Sequence, residues 1–184
     1  METRKRLPTK NFWAMLLVPV LVLLAMGAKP LYTVSVGEEI QLQTVPVDPR
    51  DPWYGVYVSL KFEVEEVPES KIEPDVRQMM ERQGIVPVYV LLQHNGKSHE
   101  ISQVTGTRPS KGIYLEGNIV SSLPNQSLDG SIYQIHYPAL EQYYVEEGKG
   151  RELEQMSQTG QLVATLKVYK GYAILTNLEK KTPE

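Results

Sequence analysis

The pattern of apolar and polar positions divides the chain into two parts. Phe12 to Ala28 (FWAMLLVPVLVLLAMGA) is an unbroken run of 17 uncharged residues, whereas from Leu31 onward apolar residues alternate with polar ones. A run of that length lies at the lower end of what spans a bilayer, about 17 to 25 residues, and it predicts a transmembrane helix over 12–28. Pro19 at its middle is tolerated in membrane helices, and Trp13 near one end suits the lipid–water interface. The alternative is a cleaved signal peptide, whose apolar part runs about 7 to 15 residues, with a small-residue site after Gly27 and Ala25 two positions earlier. On either reading the basic residues Arg4, Lys5, Arg6 and Lys10 hold residues 1–11 in the cytoplasm, and residues 31–184 are extracytoplasmic.

The alternating part predicts strands. Leu31–Val36, rich in β-branched residues, and Glu39–Val45 read as two strands meeting at Gly37, either a hairpin or one bent strand. Pro46, Pro49 and Pro52 then remove three backbone donors and predict a loop. In the next run Val56, Val58, Leu60 and Phe62 share the face assigned to the core, while Gly55, Tyr57, Ser59 and Lys61 share the other. After an acidic segment holding Glu63, Glu65, Glu66 and Glu69, Pro74 opens a short helix with Val76, Met79 and Met80 at helical spacing, and Gly84 stops it. Asn95-Gly96 between Val86–Gln93 and Glu100–Val104 is a strong hairpin signal.

Further strands are expected at Gly112–Val120 and Ser131–Tyr137, separated by a loop over Ser121–Asp129. A second acidic loop, Tyr144–Gly150, leads to a short helix at Arg151–Gln158, and Leu162–Tyr169 and Tyr172–Leu178 are hinged at Lys170-Gly171. Sliding the chain on itself by 75 positions brings Gly55 onto Gly130 and Gly96 onto Gly171, so an internal duplication and a chance ordering of strands both stay open. The expected architecture is mainly β: a sandwich or distorted barrel of about eight or nine strands with two short helices, behind the transmembrane helix.

Charge and composition narrow the function. The net charge is −3, but residues from Leu31 onward hold 14 basic and 21 acidic side chains, a charge of −7. Such a body repels phosphate backbones, which excludes nucleic acid as the expected partner. The chain has no cysteine, so disulfides, thiolate metal sites and a cysteine nucleophile are absent.

The segment Gly55-Val56-Tyr57-Val58-Ser59-Leu60-Lys61-Phe62 resembles the signature of the GDYXXLXY proteins. Gly55, Tyr57 and Leu60 match it directly, Phe62 replaces the final tyrosine with another aromatic, and Val56 departs from the aspartate, so no role of that carboxylate carries over. Tyr143 to Glu154 resembles the family's second landmark: an aromatic pair, a glycine-containing acidic loop, then a polar helix start. The resemblance implies a bacterial membrane-anchored protein of uncharacterised function, often encoded beside multispanning membrane proteins, and it implies no enzyme and no cofactor. Gly55, Tyr57, Leu60 and Phe62 are then architectural, and Tyr143, Tyr144, Glu146 and Glu147 form a candidate interaction surface.

Other residues suggest chemistry, each with a plainer reading beside it. Ser59 and Lys61 have the makings of a hydrolase dyad, but no glycine-flanked elbow or oxyanion hole accompanies them. His94 and His99 sit across the hairpin turn without a third ligand at metal spacing. The acidic segments, with Asp48 and Asp51, could gather oxygen ligands for calcium yet lack the spacing of a calcium loop. Of the 11 tyrosines, Tyr54, Tyr57, Tyr133, Tyr137, Tyr143 and Tyr144 concentrate at the starts of the two similar stretches, where core packing and a recognition surface both fit. The leading expectation is a non-catalytic envelope component that binds the lipid bilayer through its anchor and a multispanning membrane protein as partner. The alternatives are an anchored Ser/Lys hydrolase and a cation- or ligand-sensing domain.

Overall fold

The structure, a computed structural model, describes residues 9–46, 57–58, 60–124, 130–140, 143–144 and 162–181. Helix α1 spans Thr9–Val36, 28 residues, and contains Pro19 and Pro30. Its Met15–Val36 stretch is long and apolar enough to cross a bilayer, and the most apolar window is wholly unburied by the rest of the chain.

Leu31–Val36, expected as a strand, is instead the last part of α1. Here a local β preference yields to propagation of an existing helix and to docking of its end on the sheet. The Thr33 and Ser35 hydroxyls donate to the carbonyls of Lys29 and Leu31, 2.9 and 2.8 Å away. These are bonds back to the preceding helical turn, which satisfy two hydroxyls that a strand would have left to other partners. Thr33 is fully buried against the β domain. Gly37 ends the helix, donating its N–H to Thr33 O at 2.8 Å, and the chain enters strand β1, Glu38–Val45, directly.

The remaining strands are β2 (Tyr57–Val58), β3 (Lys61–Phe62), β4 (Glu66–Pro68), β5 (Val86–His94), β6 (His99–Thr105), β7 (Ile113–Pro124), β8 (Ser131–His136), β9 (Tyr143–Tyr144), β10 (Leu162–Tyr169) and β11 (Tyr172–Lys180). One sheet runs β11-β10-β1-β3, a second β4-β8-β7-β5-β6, and β2 pairs with β9. All these strand pairings are antiparallel. The architecture is therefore mainly β, as expected, and the two larger sheets curl into a nearly closed barrel. At one end Gln41 N–H donates to His99 Nδ1 (3.2 Å) and Gln43 Nε2 to Ser98 Oγ (3.0 Å), which ties β1 to the β5–β6 hairpin. At the other end Glu116 N–H donates to Gly171 O at 2.9 Å, which ties β7 to the β10–β11 hairpin.

The core follows the alternation read from the sequence. Ile40 and Leu42 from β1, Leu162, Ala164, Leu166 and Val168 from β10, and Val86, Val88 and Val90 from β5 are buried, while the residues between them are more exposed. Thr44 is the polar exception in β1. Its buried hydroxyl donates to Leu162 O (2.8 Å) and accepts from Leu162 N–H (3.2 Å), so the inward polar atom is satisfied. Pro87 is accommodated because Val86–Val88 pair with β7 alone, the β6 register beginning at Tyr89.

Helix α2, Pro74–Gln83, forms where the sequence places it, with Val76 inward and Gly84 N–H bonded to Met80 O. The Asn95-Gly96 hairpin also forms, but with a longer loop than the dipeptide alone suggests. Asn95 Oδ1 accepts from the N–H groups of Lys97 and Ser98, and only Gly96 takes positive φ. The β10–β11 turn is tighter, with Lys170 and Gly171 both at positive φ, 49° and 84°, as a two-residue turn of the primed type requires. The two hairpins thus differ in loop length and lie in different sheets. Strand β7 runs on to Pro124, paired with β8 through Ser131, so Ser121–Pro124 is strand where a loop was expected. The expected helix at 151–158 lies outside the described residues.

The run expected as one strand over 55–62 is not continuous. Tyr57–Val58 pair with β9, whereas Lys61–Phe62 pair with β1 in another sheet. Alternation alone could not reveal this, because it is insensitive to which neighbour each half of a run meets.

Gly117 in β7 is required by close approach. A Cβ there would lie 2.8 Å from Ile135 Cγ2 and 3.1 Å from the His136 carbonyl oxygen, and the backbone atom cannot readily move aside. Gly117→Ala is expected to destabilise the full-length protein by about 1–3 kcal/mol, read as a lowered denaturant midpoint in detergent. An unchanged midpoint would show that the sheet accommodates the methyl without cost.

Candidate functional site

The landmark residues fall into three groups. Gly55, Val56, Ser59, Glu146 and Glu147 lie outside the described residues. Tyr57 and Val58 are described as backbone, opposite Tyr144 and Tyr143 respectively, so the fold brings together two segments far apart in sequence. Leu60 packs against the core, and Phe62 is among the most deeply buried side chains, 1% exposed.

Beyond Phe62 the chain crosses from the first sheet to the second through one 3-10 turn, Glu63–Glu65, and a second such turn, Glu69–Lys71, follows β4. The carboxylates of this acidic segment hold that crossing. Glu65 Oε1 accepts from Phe62 N–H at 3.0 Å, Glu66 pairs with Lys61 Nζ at 2.6 Å, and Glu69 bonds both Arg77 Nη1 (2.7 Å) and Ser131 N–H (3.0 Å). The Arg77 bond, then the Ser131 N–H, holds the Glu69 carboxyl below the usual glutamate range. Burial pushes the Glu65 carboxyl up, partly offset by the Phe62 N–H and by the charges of Lys61 and His136. Tyr137, buried beside it, donates its hydroxyl to Val64 O at 2.7 Å, and burial raises its pKa well above the ordinary tyrosine value. Tyr133 is buried as well, so these two tyrosines pack in the core rather than forming a recognition surface.

Ser59 of the dyad, and Asp48, Asp51 and the acidic stretch 146–154 of the calcium reading, lie outside the described residues. No group of three metal-ligating side chains occurs among the described residues. His94 and His99 do meet across the hairpin, ring centroids 4.9 Å apart, but each Nδ1 accepts a backbone N–H, from Gly96 and Gln41 respectively. Lys61, the other half of the suggested dyad, is held in the ion pair with Glu66.

One open groove was not legible in the sequence. A groove of about 550 Å³ lies where α1 meets the barrel, lined by the end of α1, the 108–112 segment and the β10–β11 tip. Here Tyr32 packs edge-on against Tyr169 with centroids 5.0 Å apart, and Lys29 Nζ lies 4.2 Å from the centre of the Tyr172 ring. Arg108 is fixed by bonds from Nε to Tyr114 Oη (2.9 Å) and from Nη2 to Glu116 and the Lys170 carbonyl, both 3.1 Å. The hairpin at Lys170-Gly171 was expected, but nothing in local pattern indicates which distant residues its tip will meet.

A mainly β domain continuous with an N-terminal apolar helix defines the class. Within it, the chain matches the family model for GDYXXLXY proteins over residues 19–178, most of its length, and it belongs to that family. No curated protein and no solved structure is similar enough to count as a match.

The Glu65 carboxyl yields a pH prediction. It titrates near 4.3 in the unfolded chain and above its ordinary value in the folded one. Between the two values the folded state holds more protons, so this group's contribution to stability falls as pH rises through that window, and the penalty persists at neutral pH. Glu65→Gln keeps an oxygen for Phe62 N–H without the charge. The variant is expected to melt above the parent at neutral pH, the difference vanishing in acid below about pH 4. Parallel melting curves across the whole range would contradict this account.

Proposed function

We propose that the protein is a single-pass envelope component. On this reading α1 anchors it, the basic N-terminus is cytoplasmic, the β domain is extracytoplasmic, and it binds a multispanning membrane protein without catalysing a reaction. The observation that carries the reading is the union of an exposed apolar helix with a domain joined to it by Gly37 alone. Met15, Leu23 and Met26 are 75, 68 and 72% exposed, and the β domain covers none of that stretch. A mere tether needs no fixed relation to its cargo. A helix joined without a linker holds the domain in one orientation, which a partner that spans the membrane beside it can recognise on two surfaces at once.

The family's link to neighbouring multispanning proteins supports the same choice. Tyr143 and Tyr144, paired with Val58 and Tyr57, remain the candidate contact on the domain, with Glu146 and Glu147 beside them in sequence. No observation favours the hydrolase or cation-sensing readings over this one.

Replacing Met15–Met26 with an unrelated apolar span of equal length separates anchoring from partner binding. The exchanged protein is expected to stay in the membrane fraction and to lose a multispanning protein that co-purifies stoichiometrically with the parent in mild detergent. A parent that purifies alone, under conditions that keep other envelope complexes intact, would remove the reading's main support. In cells deleted for the gene and showing a phenotype, the Ser59→Ala protein is expected to restore function as fully as the parent, and failure to do so would favour the hydrolase.

A further inference from the structure

The groove at the helix–barrel junction departs from the charge of the body around it. Arg108, Lys111 and Lys170 line it against Glu38 alone, in a region from Leu31 onward whose charge is −7. Arg108 is partly neutralised by Glu116. Lys111 and Lys170 are exposed and make no ion pair among the described residues. Two segments far apart in sequence, 108–112 and the β10–β11 tip, supply these cations and converge only through the fold.

The groove's position indicates what these cations meet. Lys29 ends the uncharged run, and from Lys29 to Val36 the helix rises about 10 Å at 1.5 Å per residue. That is comparable to the polar layer on one side of a bilayer, about 5–8 Å from total and hydrocarbon thicknesses. Along this rise the β10–β11 tip lies against the helix, Tyr169 on Tyr32 and Tyr172 beneath Lys29. Tyrosine and lysine at such a level have apolar bodies for the acyl boundary and polar ends for the headgroups. Lys170 at the tip is thus carried to the headgroup level, with Arg108 bonded to its carbonyl.

Resting on the reading of α1 as a membrane anchor, we propose that this groove binds the phosphate of anionic lipid headgroups, with Lys111 and Lys170 as the principal contacts. Arg108 holds the hairpin tip in place. Such binding seats the domain on the surface of its own membrane and fixes its height and rotation about α1. A soluble phosphate anion shares this chemistry, but the tyrosine and lysine belt around the groove favours the lipid source.

The absence of cysteine allows a single Ser110→Cys substitution, in the groove wall, to carry a polarity-sensitive fluorophore on the full-length protein. The labelled protein is reconstituted into phosphatidylcholine vesicles with and without phosphatidylglycerol. Anionic vesicles are expected to shift the emission to the blue and allow quenching by headgroup-spin-labelled lipid, both reversed by added salt. Lys111→Gln with Lys170→Asn, the latter chosen because asparagine tolerates positive φ, is expected to lower the ratio of docked to undocked domain about 30-fold with unchanged melting.

Equal signals in the two vesicle types would overturn the proposal, as would a double variant that behaves as the parent. So would a response to inorganic phosphate in detergent without one to anionic vesicles. Flotation separates the two readings: protein that floats with both vesicle types but shows no lipid dependence keeps its anchor and loses the groove. Protein that does not float loses both.

Discussion

The structure depends on a single residue between helix and sheet. Gly37 lies where α1 turns directly into β1, and a side chain there would collide with the Thr33 carbonyl oxygen and approach Val168 N and O to 3.1 Å. Because β1 sits between β10 and β3 in its sheet, the helix is fused to an interior strand rather than hung from an edge. The buried Thr33 and the Tyr32–Tyr169 contact close the angle between them. The orientation of the domain relative to α1 therefore follows from packing.

The same economy appears at the crossing between sheets. Three successive short elements at Lys61–Pro68 carry the chain from β1's neighbour to β8's neighbour, too short a path for either to be stable by backbone pairing alone. Phe62, Val64 and Val67 bury the path, and Glu65, Glu66 and Glu69 satisfy polar groups along it. Three carboxylates of this acidic run thus each hold a structural bond.

Interaction surfaces divide in a corresponding way. Tyrosines near the two landmarks separate into buried members, Tyr133 and Tyr137, and the backbone-paired segments at Tyr57 and Tyr143–Tyr144. The tyrosines at the helix junction, Tyr32, Tyr169 and Tyr172, came from parts of the chain that carried no landmark.

The sequence by itself determined the elements whose cause is local. The uncharged run of α1, the Pro74-to-Gly84 limits of α2, the turns at Asn95-Gly96 and Lys170-Gly171 and the inward faces of β5 and β10 each follow from side-chain period or turn chemistry within a few residues. The motif over Gly55–Phe62 and the landmark at Tyr143–Glu154 carried the family. Tertiary structure alone decided where neighbours compete. Leu31–Val36 has β-branched residues but became helix, because continuing α1 and burying Thr33 outweigh a weak local preference. The run at 57–62 is divided between two sheets because alternation records which side of a strand is apolar and not which strand lies beside it. The groove of Arg108, Lys111 and Lys170 exists only once β7, β10 and α1 are brought together, and contacts between segments so far apart in the chain leave no local pattern to read.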